Sequence, residues 1–199
     1  MPRYKSADRE RLVAEARRRL LDAALGEFAA QGYAGANINH ISLAAGFAQG
    51  TVYNYYPSKR ALFAAVIGDI AARQGELVLQ GAASAPTPAM RLERFLAAGL
   101  AFAQGFPAAA RLVAATLYGA DAEARALAQH AYEPLASYVT KEIVLAGQQE
   151  GTFRTVDAEL AGAAIMALYL CGCTAHGAPL RANPRAAAAL ILEGLRRGT

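Results

Sequence analysis

Between Asn37 and Lys59 the chain reads NINHISLAAGFAQGTVYNYYPSK, a run of small and hydrogen-bonding side chains that ends on a cation. Gln49, Gly50, Thr51, Asn54 and Tyr55 fall on the outer side of one short helical pattern, and Val52 turns inward with Phe47. Amides and hydroxyls carried on one helical face can meet the donors and acceptors that base pairs present in a major groove. Reactive chemistry has little to stand on. His40, His130 and His176 lie far apart in sequence, and there is no Gly-rich phosphate loop, zinc spacing or paired-carboxylate arrangement. Cys171 and Cys173 are the only thiols. Two residues apart on a helix they point about 200° from each other, so they cannot jointly hold a metal or form a bridge without unwinding. They read as small apolar residues in a reducing cytoplasm, with a thiol redox sensor as the alternative. No catalytic residue, metal or cofactor is expected.

The elements that must carry the polar face are legible around it. Ile38, Ile41 and Ala45 recur at three- and four-residue steps and give an amphipathic helix, opened by Asn37, whose side-chain oxygen can accept an orphan backbone N–H. Gly46 can take the left-handed conformation that ends a helix. Phe47 then drops into the core and sets a second helix, expected over Gln49 to Tyr55, at a steep angle to the first. This is the pattern of a helix-turn-helix over residues 37–56.

That motif sits in a longer pattern. Arg19 to Leu25 (RLLDAAL), then Phe28, Gly32 and Tyr33, Ile38 and Ile41, Ala44-Ala45-Gly46, Gly50-Thr51-Val52-Tyr53, Tyr55-Tyr56 and Ser58 to Leu62 (SKRAL) together resemble the N-terminal domain of TetR-type transcriptional regulators. The resemblance implies an all-α chain: an arm over 1–13, a three-helix DNA-binding domain over 14–74, and a larger helical domain over 75–199 that binds an effector and dimerises. It further implies a homodimeric repressor on a near-palindromic, double-stranded operator, released by a small ligand. Tyr53 and Lys59, with Thr51 and Tyr55, are then expected on phosphates, and Gln49, Gly50, Asn54 and Asn39 near base edges. The family's usual Ser or Thr before the recognition helix is Ala48 here, and its frequently basic next residue is Gln49. The missing cap costs about 1 kcal/mol, which packing of Phe47 and Val52 can offset. A ligand-blind or activating regulator, a nonspecific DNA-coating protein and a carrier without DNA affinity are the alternatives.

Composition agrees with an all-α chain, 55% hydrophobic and poor in β-branched alternation. The formal charge of +4 is uneven: residues 1–60 hold nine Lys or Arg against five Asp or Glu, and the remainder holds eleven of each. The excess cation thus lies in the domain expected to meet DNA. Arg3, Lys5, Arg9 and Arg11 flank the point, at about Asp8, where a helical pattern settles, and read either as a phosphate-seeking arm or as a solvated extension. No apolar signal-peptide core follows them, so a cytoplasmic location is expected.

Leu160 to Leu180 carries no formally charged residue, yet Ala, Gly, Thr174, His176 and Pro179 dilute it, so it reads as a buried helix and not as a membrane span. Ala161, Ala164, Leu168 and Gly172 on that helix, with Leu190, Ile191 and Leu195 on the next, are the expected dimer interface, a four-helix contact between two chains. Helices are also expected over Ser58 to Leu79, Ala89 to Gln104, Pro107 to Tyr118 and Asp121 to Glu150, the last bent or interrupted at Pro134, with a linker at Ala83 to Pro88. Phe95, Phe102, Phe106, Tyr118, His130, Tyr132, Tyr138, Met166 and Tyr169 are an aromatic and polarisable set in this region. The resemblance implies an effector pocket there, and the set favours a largely apolar ligand, with ordinary core as the alternative reading.

Overall fold

Apolar residues spaced by three and four dictate helices, and the computed structural model contains helices and no strand among the residues it describes, which are 3–171 and 184–195, with side chains at 8–170, 186 and 188–195. In order these are α1 (Arg3–Gly35), α2 (Ile38–Ala44), a 3₁₀ turn (Thr51–Asn54), α3 (Lys59–Gly81), α4 (Pro88–Gly105), α5 (Pro107–Leu117) and α6 (Ala122–Tyr138). A π-helical stretch (Val139–Leu145), α7 (Ala146–Gln149), α8 (Ala158–Cys171) and α9 (Pro184–Leu195) complete the chain. Side-chain oxygens cap the starts: Ser58 accepts from Ala61 N–H at 3.1 Å, Thr87 from Met90 at 3.3 Å, Asp121 from Ala124 at 2.9 Å and Asp157 from Leu160 at 3.0 Å.

α1, α2 and the first half of α3 close around Leu20, Ala24, Phe28, Ile41, Val52, Leu62, Phe63 and Val66. Phe28 meets Phe63 edge-on at 4.9 Å, and Tyr33 lies 4.8 Å from Phe63. Each such buried ring contributes about 1.5–3 kcal/mol. The same core continues without a gap through Ile67, Ile70 and Val78 of α3 to Leu92, Phe95 and Phe102 of α4 and Val139 and Ile143 beyond α6. α3 therefore serves both halves: it packs on α1 at one side and on α4 and α6 at the other.

Four expectations are corrected. The second helix of the motif is not a helix over Gln49–Tyr55 but one 3₁₀ turn, because Gly50 takes a left-handed φ of +75° that leaves Gln49 and Gly50 outside any helix. Residues 3–13, expected in an arm, lie within α1, which is broken near its other end by Gly32 at φ +68°. Pro134 lies inside α6 without interrupting it; the helix widens further on, in the π-helical stretch, where Arg91 Nη1 donates to the Glu142 carbonyl at 3.0 Å. Finally, Ala83 to Pro88 is a pinned turn and not a loose linker: Arg91 Nε donates to Ala85 O at 3.2 Å and Arg94 Nη1 to Gly81 O at 3.0 Å, with Ala82 and Ala85 buried. No single helix among the described residues is long and apolar enough to cross a membrane. Gly172, Cys173 and His176 lie outside the described residues, as does the side chain of Cys171.

Candidate nucleic-acid interface and effector cavity

The candidate surface begins at Asn37, which caps α2 by accepting the Asn39 N–H at 2.9 Å. Its own N–H goes to Glu27 Oε1 at 2.9 Å, which anchors the positive end of α2 on a carboxylate of α1. α2 ends in a paired closure: Gly46 N–H donates to Leu43 O and Phe47 N–H to Ser42 O, both at 2.9 Å, with Gly46 at φ +77°. Arg19 of α1 locks this turn. Its Nη2 donates to Ala45 O at 2.6 Å, and its guanidinium lies 4.8 Å over the Phe47 ring.

The 3₁₀ turn is held by what it buries. Val52 is in the core, and its N–H donates to the buried Ser42 Oγ at 3.3 Å. Ala48 has no side-chain acceptor to offer, so Ser42 supplies one from the preceding helix. Phe47 and Tyr55, both half-buried, face one another at 6.3 Å. The residues between these anchors point out: Gln49 and Asn54 are exposed, and Tyr53 stands 53% exposed with no share in the core. Asn39 of α2 is exposed beside them, while Gly50, Thr51 and Lys59 are half-buried. Lys59 Nζ donates to Ala34 O at 2.8 Å and lies 5.4 Å from the centre of the Tyr33 ring, so the cation is oriented by the end of α1.

One step further along, Arg60 pairs with Glu123 of α6 at 3.1 Å. Burial holds the Tyr33 hydroxyl above its ordinary pKa of 10.0, and the nearby Glu123 carboxylate pushes it the same way. Tyr33, Arg60 and Glu123 thus tie the helix-turn-helix end of the molecule to the start of α6.

Between α3 and α6 lies a cavity of about 830 Å³, walled by Gly68, Ala71, Gly75 and Val78 on one side and Ala131, Leu135 and Tyr138 on the other. Of the residues expected in a ligand pocket, only Tyr138 lines it. Phe95, Phe102, Met166 and Tyr169 are buried in the core, where Phe95 stacks on Tyr169 at 4.3 Å. Phe106, Tyr118 and His130 are exposed. Tyr132 is buried and donates its hydroxyl to Gln74 Oε1. The aromatic set does not converge on one space. Nothing in the sequence marks this cavity, because small residues make it.

The expected dimer residues divide. Ala164, Leu168 and Leu190 are exposed, Ala161 and Ile191 half-buried, and Leu195, at 8% exposure, is packed into its own chain. There Arg154 N–H and Nε donate to Leu195 O and Gly194 O, each at 2.7 Å, closing the end of α9. Leu160, 70% exposed, and Ala163 lie outside the expected set and complete an i, i+3, i+4, i+8 stripe with Ala164 and Leu168 that the periodicity contains.

Residues 20–66 match the family of bacterial regulatory proteins called tetR, over its N-terminal domain. The chain is 43% identical over 63 residues to the uncharacterized HTH-type transcriptional regulator YdgC of Bacillus subtilis (strain 168), a match that spans 32% of each protein. The fold resembles a bacterial regulatory protein of the tetR family from Rhodococcus RHA1, with a TM-score of 0.76 at 22% identity over 92% of this chain and 98% of that one. It also resembles the transcriptional regulator FadR from Bacillus subtilis, solved with stearoyl-CoA, with a TM-score of 0.79 at 20% identity over 89% and 98% of the two chains. Residues 20–66 thus carry the N-terminal domain of the tetR family of bacterial regulatory proteins, and the helical scaffold as a whole has the fold of the solved regulators it resembles.

Proposed function

We propose that the protein is a homodimeric, sequence-specific transcriptional repressor, with residues 14–74 reading DNA and residues 75–199 binding an effector and a second copy. The observation that carries this reading is the division of labour in the 3₁₀ turn: Val52 is buried and bonded to Ser42, while Gln49, Tyr53 and Asn54 stand outward beside Lys59. Tyr53 and Lys59, with Thr51 and the edge of Tyr55, meet phosphates and set register; Gln49, Gly50, Asn54 and Asn39 lie at base edges and set sequence. Two copies joined through the exposed apolar faces of α8 and α9 place two such surfaces on the half-sites of an inverted repeat.

The effector reading rests on the cavity between α3 and α6, and a similar fold holding stearoyl-CoA in FadR supports it. One wall belongs to α3, the helix whose first turn holds Lys59 and Arg60. A ligand that separates α3 from α6 changes the spacing of the two reading surfaces. A differential affinity of about 1–3 kcal/mol between the two spacings makes a useful switch.

Selection of random double-stranded DNA by the purified protein at near-physiological salt tests the proposal. An enriched inverted repeat is expected. A retained pool without a motif would point to nonspecific coating, and no retention would leave a carrier.

A further inference from the structure

Resting on the effector reading, we propose that the α3–α6 cavity takes a bulky apolar cation and rejects coenzyme A thioesters. Gly68 and Gly75 lie two turns apart inside α3, where each glycine costs about 1 kcal/mol of helix stability relative to alanine. Some helical glycines have a packing reason, since a Cβ on Gly99 would run into the Tyr169 ring and one on Gly162 into Thr140 Oγ1, whereas others, such as Gly26 of α1, have none. At Gly68 and Gly75 an added Cβ meets nothing within 4 Å. No described segment of this chain needs them small. The room they leave, about 830 Å³, is that of a site for a drug-sized molecule.

The walls select by charge. Ala71, Val78, Ala131 and Leu135 are apolar, and the exposed Glu76 is the one Asp, Glu, Lys or Arg among the described lining residues. Gln80 Nε2 donates to Glu76 Oε1 at 3.3 Å and holds the carboxylate in place. Tyr138 adds an aromatic ring and a buried hydroxyl with no hydrogen-bond partner. No Lys or Arg is among the described residues that line the space, and the nearby described arginines are engaged: Arg73 with Asp69 at 2.7 Å, Arg91 with Ala85 O and Glu142 O, and Arg94 with Gly81 O and Ser84 Oγ. Phosphates require clustered cationic donors, which these walls do not offer. A cation finds a carboxylate and a ring face, and its apolar body covers the alanines and glycines.

The test uses tetraphenylphosphonium and tetraphenylborate, ions of one shape and opposite sign, titrated calorimetrically into the full-length protein, with stearoyl-CoA as a third probe. The phosphonium is expected to bind in preference to both, and Glu76→Gln to weaken it by about fivefold or more without weakening the borate. Gly75→Leu, which puts a side chain into open space on an intact helix, is expected to abolish binding. Equal binding of the two ions, no effect of Glu76→Gln, or preference for stearoyl-CoA would overturn the charge selection; loss of that binding in Gly75→Leu would still leave an effector cavity. If no probe binds, or Gly75→Leu binds as the parent does, the cavity reading falls and the charge selection with it.

Discussion

A methyl group added at Gly46 should cost this protein twice. The left-handed φ of +77° disfavours an L side chain by about 1–2 kcal/mol. The new Cβ would also stand 2.4 Å from Arg19 Nη2, so the guanidinium has to leave. In leaving it gives up a charge-assisted bond to Ala45 O at 2.6 Å, worth about 1.5–3 kcal/mol, and its place over Phe47 at 4.8 Å, worth about 0.5–1 kcal/mol. Gly46→Ala alone is therefore expected to cost about 3–6 kcal/mol, and Gly46→Ala in an Arg19→Ala background only the backbone part, about 1–2 kcal/mol. Urea unfolding of the four proteins by far-ultraviolet circular dichroism, at one fixed protein concentration, measures the coupling. Hydrogen exchange at the Phe47 and Val52 amides reports whether the loss stays local to the turn. A cycle whose two single costs add to within about 0.5 kcal/mol would refute the shared role of Arg19 and Gly46.

Ser42→Ala leaves the Val52 N–H buried without an acceptor; a loss of about 1–3 kcal/mol, seen as a lower urea midpoint, is expected, and an unchanged midpoint would mean the bond at 3.3 Å is dispensable. On DNA, Lys59→Ala should weaken binding to all sequences and lower the salt slope by about one, whereas Asn54→Ala should change preference among sequences; equal effects on specific and random DNA from both would void the assignment. Replacing Leu160 and Leu168 together by Glu should shift the protein to monomers in sedimentation and cost it inverted-repeat binding, and a dimer that survives would place the interface elsewhere. Stability is expected to be complete below about pH 10 and to fall above it, because the raised pKa of Tyr33 keeps its proton on the folded chain after the unfolded chain has released it. Tyr33→Phe should flatten part of that fall in urea midpoints taken across the alkaline range, and an identical slope would assign it to other groups.

The chemistry of Asn37, Gly46 and Val52 is local, and these positions were readable: a cap, a left-handed stop and a buried anchor each act within a few residues of themselves. Gly50 was legible as a glycine but not as a stop, since a helical pattern tolerates one glycine and only the chain's path decides its φ. The ties that fix the site escape a linear reading altogether. Arg19 reaches Ala45, Arg60 reaches Glu123 and Arg154 reaches the end of α9, and nothing in any of those residue types names its partner. The cavity escaped for an opposite reason. Aromatic residues draw attention to themselves, but Phe95 and Tyr169 spend their surface on each other, while the open space is made by two glycines whose significance is that nothing touches them.

The 3₁₀ turn is too short to be stable by itself, and the fold does not ask it to be. Val52, Ser42, Phe47 and Arg19 carry its free energy from beneath and behind, so Gln49, Tyr53 and Asn54 are almost free of structural duty. On the proposed reading, substitutions at Gln49 and Asn54 alter what the molecule addresses without endangering whether it folds. A duplicated gene could then drift to a new operator through those two codons, one change at a time, with every intermediate still a folded protein.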